Sequence, residues 1–101
     1  MDHTGIVEEF VDRDEDYRRW VAEHPAGFVL NTPRRPTASY LFLHRASCRS
    51  VTGTPANGGA WTHDYIKVCA EGAEDLEEWA LVATGGQVHK CRLCHNERPA
   101  N

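Results

Sequence analysis

The first constraints on this chain of 101 residues are absences. No apolar run approaches the roughly 18–20 residues that span a bilayer as a helix, so no transmembrane helix and no membrane partner are expected. The N-terminus, Met1-Asp2-His3-Thr4-Gly5, is acidic and polar. It lacks the basic n-region and apolar h-region of a secretory signal, which points to the cytoplasm. Thiols stay reduced there, so the four cysteines argue for a metal before disulfides. The sequence has no H-x-x-x-H or H-E-x-x-H pair, no P-loop, no G-x-S-x-G and no dinucleotide fingerprint, so the common zinc-protease, nucleotide and serine-hydrolase classes have no support. What remains for catalysis is a Cys48 thiolate beside the imidazole of His44 or His63, or a nuclease-like grouping of His63-Asp64 with Arg45. No internal repeat is visible.

The length fits one domain over residues 1–101, with a core modest enough that a metal staple would help it. Charge is unevenly spread. Residues 1–24 hold eight acids and three bases, residues 31–67 five bases and one acid, and residues 68–101 six acids and three bases. The segments therefore carry −5, +4 and −3, which sum to the net −4. The middle of an acidic chain is thus a candidate anion-binding face.

Residues 1–11 read as a lead-in or a short strand, and residues 95–101 as a flexible tail. A helix capped by Asp12 or Asp14 runs to about His24, with Tyr17, Trp20, Val21 and His24 on one face and its acids in the first turn. Pro25 and Gly27 end it. Phe28-Val29-Leu30 reads as a buried strand. Ser39 to Arg45 is a second strand, with Tyr40, Phe42 and His44 alternating against Leu41, Leu43 and Arg45. Residues 46–60 read as a long loop, a length that suits function. Tyr65 to Cys69 is a third strand, with Tyr65, Lys67 and Cys69 on one face. A second helix spans about Ala73 to Ala83, with a stripe of Leu76, Trp79, Ala80 and Ala83, and Gly85-Gly86 closes it. The expected architecture is α+β: a small, mainly antiparallel sheet of about three strands, two helices and a C-terminal metal knuckle.

Cys91-Arg92-Leu93-Cys94 is the sharpest local motif. Two thiolates in C-x-x-C spacing supply half of a tetrahedral zinc site. Only seven residues follow Cys94, Pro99 among them, so the helix that a redox C-x-x-C needs has no room. The remaining ligands are expected from Cys48 and Cys69, with His44 as the alternative fourth. If the second and third strands form a simple hairpin, Cys48 and Cys69 lie at its opposite ends, and a set of His44, Cys48, Cys91 and Cys94 fits better. Cys69 can equally be a small buried hydrophobe. The candidate phosphate or nucleic-acid face comprises Arg34, Arg35, Arg45, Arg49 and Lys67, interleaved with Trp61 and Tyr65. Against it, the acidic balance is unlike that of a typical nucleic-acid binder, and the same residues suit solvated loops and core.

The segments Gly27-Phe28-Val29-Leu30-Asn31, Leu43-His44-Arg45-Ala46-Ser47-Cys48, Tyr65-Ile66-Lys67-Val68-Cys69 and Cys91-Arg92-Leu93-Cys94 together resemble a small module of actinobacterial proteins that has no assigned activity. The resemblance covers most of the chain from Asp14 onward. It implies that the four cysteines and the His44-Arg45 pair belong to one pattern, and it implies no chemistry. The reading is a zinc-stabilised binding module for nucleic acid or another phosphate-bearing partner. A protein-interaction or small-ligand module is the alternative, and a small hydrolase or nuclease the second alternative.

Overall fold

A computed structural model describes residues 6–52 and 60–91. Its α+β architecture has β1 (Glu8–Phe10), α1 (Asp14–Glu23), β2 (Phe28–Pro33), β3 (Phe42–Arg45), the four-residue α2 (Arg49–Thr52), β4 (Tyr65–Ala70), α3 (Ala73–Thr84) and β5 (His89–Lys90). The strands form one mixed sheet of order β1-β4-β2-β3-β5. Every neighbouring pair is antiparallel except β3–β5. The expected mainly antiparallel sheet is present with five strands where about three were expected. The two additions are short edge strands, too brief to show an alternating pattern.

The two long helices lie on opposite faces of the sheet. Directly paired residues share a face, so Glu8, Cys69, Val29 and His44 line one row. Tyr17 and Val21 of α1 pack on that side with Phe10, Val29 and Cys69. Leu76 and Ala80 of α3 pack on the other with Leu30, Leu43, Ile66, Val68 and Ala70. Covering both faces explains the unbroken apolar run Phe28-Val29-Leu30 in β2 and the mostly apolar β4. Ala83 of the predicted α3 stripe is exposed. Leu76 and Ala80 already span the contact.

Gly85 stops α3 in the left-handed conformation (φ 77°), its N–H donating to the Leu81 carbonyl at 2.8 Å. The start of α1 differs from expectation. Neither Asp12 nor Asp14 is its cap: Arg13 occupies that position without a side-chain cap bond. Asp12 stands outside the helix with φ 54°. The Asp14 carboxylate reaches across the chain instead, accepting from the amides of Trp61 and Thr62, both at 2.8 Å, and from the Thr62 hydroxyl at 2.5 Å. Part of the predicted 46–60 loop is α2, whose Val51 is buried and whose backbone carbonyl at that position accepts from the Tyr17 hydroxyl at 2.7 Å. Residues 53–59 and the predicted tail 95–101 lie outside the described residues.

The Asp14 clamp yields a test. Burial alone would raise its pKa, but the Thr62 hydroxyl, the two amides and the Lys67 charge hold it below the ordinary 3.8. A carboxyl depressed in the folded state stabilises above its unfolded value and loses that contribution as pH falls. Asp14→Ala is expected to lower the unfolding free energy at pH 7 by about 2–3 kcal/mol by chemical denaturation, with the deficit shrinking below about pH 4. Asp16→Ala, an exposed control, should cost less than about 0.5 kcal/mol.

Candidate metal centre

The site begins with the end of β3. His44 is an inward-facing strand residue, 7 % exposed. The chain then reverses tightly: the Ala46 amide donates to the Gly27 carbonyl at 2.9 Å and the Cys48 amide to the Arg45 carbonyl at 2.9 Å. This turn returns Cys48, also buried, toward His44. Beyond α3 the chain reaches the free edge of β3 as β5, with Phe42 opposite His89 and Leu43 opposite Lys90. Bonds from the His89 amide to the Leu41 carbonyl (2.7 Å) and from the Cys91 amide to the Leu43 carbonyl (2.9 Å) fix that edge. Cys91 follows directly and lies half-buried beside His44.

Ligand atoms of His44, Cys48 and Cys91 all lie within 4.8 Å of one another. A tetrahedral ion with donors at about 2.0–2.3 Å keeps them about 3.3–3.8 Å apart, so slight closure fits the three around one ion. This His/Cys/Cys group can hold a metal ion. Cys94, the expected partner of Cys91, lies outside the described residues.

Cys69, expected as a ligand, stands apart. It pairs with Val29, which pairs with His44, so it lies two strands away, about 10 Å by ladder spacing. The anticipated hairpin of the second and third strands does not form, because β2 runs between β3 and β4. Both are antiparallel to β2, hence parallel to each other, so Cys48 and Cys69 lie at the same end of the sheet. What separates them is sheet width. Burial pushes the Cys69 thiol well above its ordinary range, aided by Glu8 and opposed by Lys67, which fits an inert core cysteine.

The expected basic face divides. Lys67 is buried, its ammonium donating to the Trp61 carbonyl at 2.6 Å and standing 6.0 and 5.8 Å from the Tyr17 and Trp61 rings. Trp61 is buried beside Tyr17. Arg34 forms a forked pair with Asp12 at 3.1 and 2.6 Å and donates to the His63 carbonyl at 3.0 Å. That guanidinium, then the His63 ring, holds the Asp12 carboxyl well below the carboxylate range. Exposed Arg35 follows β2 at the end where Pro33 meets Tyr65, whose ring lies 5.1 Å from Tyr40. Exposed Arg45 pairs with Phe28 at the other end, five residues along β2, or about 17 Å away. The Arg49 side chain is outside the described set. His63 belongs to the Arg35 end, remote from His44 and Cys48, so the catalytic grouping with His63 is not assembled.

In the sequence His44 stands as the alternative to Cys69 for the fourth ligand. The four-residue step from His44 to Cys48 carried the usable signal, whereas the pairing of β5 with β3 had none. No protein-family model, no curated protein and no solved structure matches this chain.

Burial pushes the Lys67 ammonium down to about 8 from 10.5, despite the nearby Asp14 charge. A base depressed in the folded state leaves the unfolded chain binding more protons between those values, so stability rises with pH across that window. The shift corresponds to about 3 kcal/mol. Denaturation of wild type and Lys67→Met from pH 7 to 10.5 should give a difference that moves toward wild type by up to this amount. A flat difference would mean that the ammonium is not desolvated.

Proposed function

We propose that this chain is a small binding module braced by one structural zinc ion, held by His44, Cys48, Cys91 and Cys94. The observation that carries the proposal is the convergence of three soft or borderline donors within 4.8 Å, drawn from β3, the turn after it and the end of β5. Imidazole with thiolate favours zinc over hard cations such as magnesium or calcium. Cys94 enters through its C-x-x-C spacing to Cys91. Four protein ligands leave no open position for substrate, which is the composition of a bracing site and not of a catalytic one.

The partner follows less directly from the arginines. Arg35 and Arg45 sit at opposite ends of β2, Arg34 is paired with Asp12, and Lys67 is interior. This dispersion supports a protein or small-ligand partner over the nucleic acid suggested by the basic central segment. Anisotropy titrations with single- and double-stranded oligonucleotides at low and rising salt separate the two readings. Salt-sensitive binding lost in Arg35→Ala or Arg45→Ala would restore the nucleic-acid reading.

Elemental analysis of purified protein tests the site. Wild type and Cys69→Ser are expected to carry one zinc per chain. His44→Ala, Cys48→Ser, Cys91→Ser and Cys94→Ser should each lose most of it, because a three-ligand remnant binds far more weakly. Folded, metal-free wild type, reloaded with zinc under reducing conditions and still binding none, would overturn the assignment.

A further inference from the structure

We infer that occupation of this centre and docking of β5 onto β3 are a single coupled event, so that the metal acts as the latch of this sheet edge. The inference rests on the metal reading above and adds a conformational consequence to it.

The β3–β5 seam is weak by its own construction. It has two register pairs, where strands of three or more residues are usual. His89 and Lys90 are both exposed, so their burial adds little. Its contacts include the amide bonds from His89 to Leu41 and from Cys91 to Leu43, a tilted ring contact between Phe42 and His89 at 5.8 Å, and the partly buried Val88 and Cys91 that pack against the two cores on either side of it. A ladder of two register pairs offsets little of the entropy of fixing a short edge segment. Segments with this profile open locally while the body of the fold stays closed.

The ligands straddle that seam. His44 belongs to β3, and Cys48 is fixed by the turn bonded to Gly27 and Arg45, all within the packed body. Cys91 belongs to the far side, one residue beyond β5. An ion held by all three closes a cross-link over the edge. Without it the tie reverts to the short ladder and its flanking packing, and opening frees the Leu41 and Leu43 carbonyls, leaving β3 as an unpaired edge strand. Coupling between two binding events is reciprocal. Docked β5 must therefore raise zinc affinity by the factor through which zinc favours docking.

Hydrogen exchange of the full chain followed by NMR, with one equivalent of Zn²⁺ and again after chelation, tests this. The His89 and Cys91 amides should exchange at least about tenfold faster without metal, while those of Val29, Leu30 and Val68 change by less than about threefold. In a second arm, His89→Pro removes the amide bond to Leu41 and keeps every proposed ligand. Competition against a chromophoric chelator should then give zinc affinity at least about tenfold lower than wild type. Zinc binding at one equivalent with unchanged His89 and Cys91 exchange would overturn the latch and leave the metal site standing. Equal acceleration of every amide would also overturn it, since the metal would then hold the whole fold. Absence of zinc binding would overturn both.

Discussion

The rest of the structure depends on β2 lying between β3 and β4 with a helix against each face of the sheet. Val29 and Leu30, adjacent in sequence and both fully buried, point into different cores, one roofed by α1 and one by α3. Because β3 and β4 are each antiparallel to this strand, they run in the same direction. That directionality gathers His44, Cys48 and Cys69 at one end of the sheet and Arg35, His63 and Tyr65 at the other. It also leaves β2 between Cys69 and the two candidate ligands near it in height, two strand spacings apart. The composition of the candidate site is thus a consequence of strand order.

The face under α1 is sealed by polar groups as well as by packing. Asp14 holds the Trp61 and Thr62 amides, and Lys67 closes the same corner by donating to the Trp61 carbonyl. Tyr17 adds a bond to Val51, linking α1 to α2. A buried ammonium is costly unless its protons find acceptors. Here one carbonyl and two ring faces receive it, and the Asp14 charge lies close enough to favour the protonated form. The depressed ammonium pKa indicates that this compensation is incomplete. The corner is a scaffold element that carries charge inward, which removes that charge from any surface where a phosphate would meet it.

At the opposite edge of the sheet, the two exposed residues of β5 lie against β3 in a ladder of two register pairs. The same edge brings an imidazole and two thiols into one small volume. These facts are complementary: a weak seam is where an inorganic cross-link contributes most. On the proposed reading zinc compensates for a sheet edge that a chain of this size has no remaining core to stabilise.

Much of the local structure was legible in the sequence. The α3 limits followed from Gly85 and the Leu76/Ala80 spacing, and the alternation in β3 and β4 assigned His44, Lys67 and Cys69 to their faces correctly. Cys91 of the C-x-x-C motif and the four-residue step from His44 to Cys48 pointed to the three residues that converge as a candidate metal group. These readings succeed because helix and strand periods, turn glycines and ligand spacing act over a few residues. Strand order, the pairing of β1 with β4 and the docking of β5 arise from long-range contacts that leave no local period. Alternation told which residues share a face; only the packing of α1 decided that the face with Lys67 is interior. By itself the sequence determined the two long helices, the three central strands and the donor chemistry. The tertiary structure decided which donors meet, because an ion tolerates ligands only a few ångströms apart and strand order sets distances in steps of nearly five.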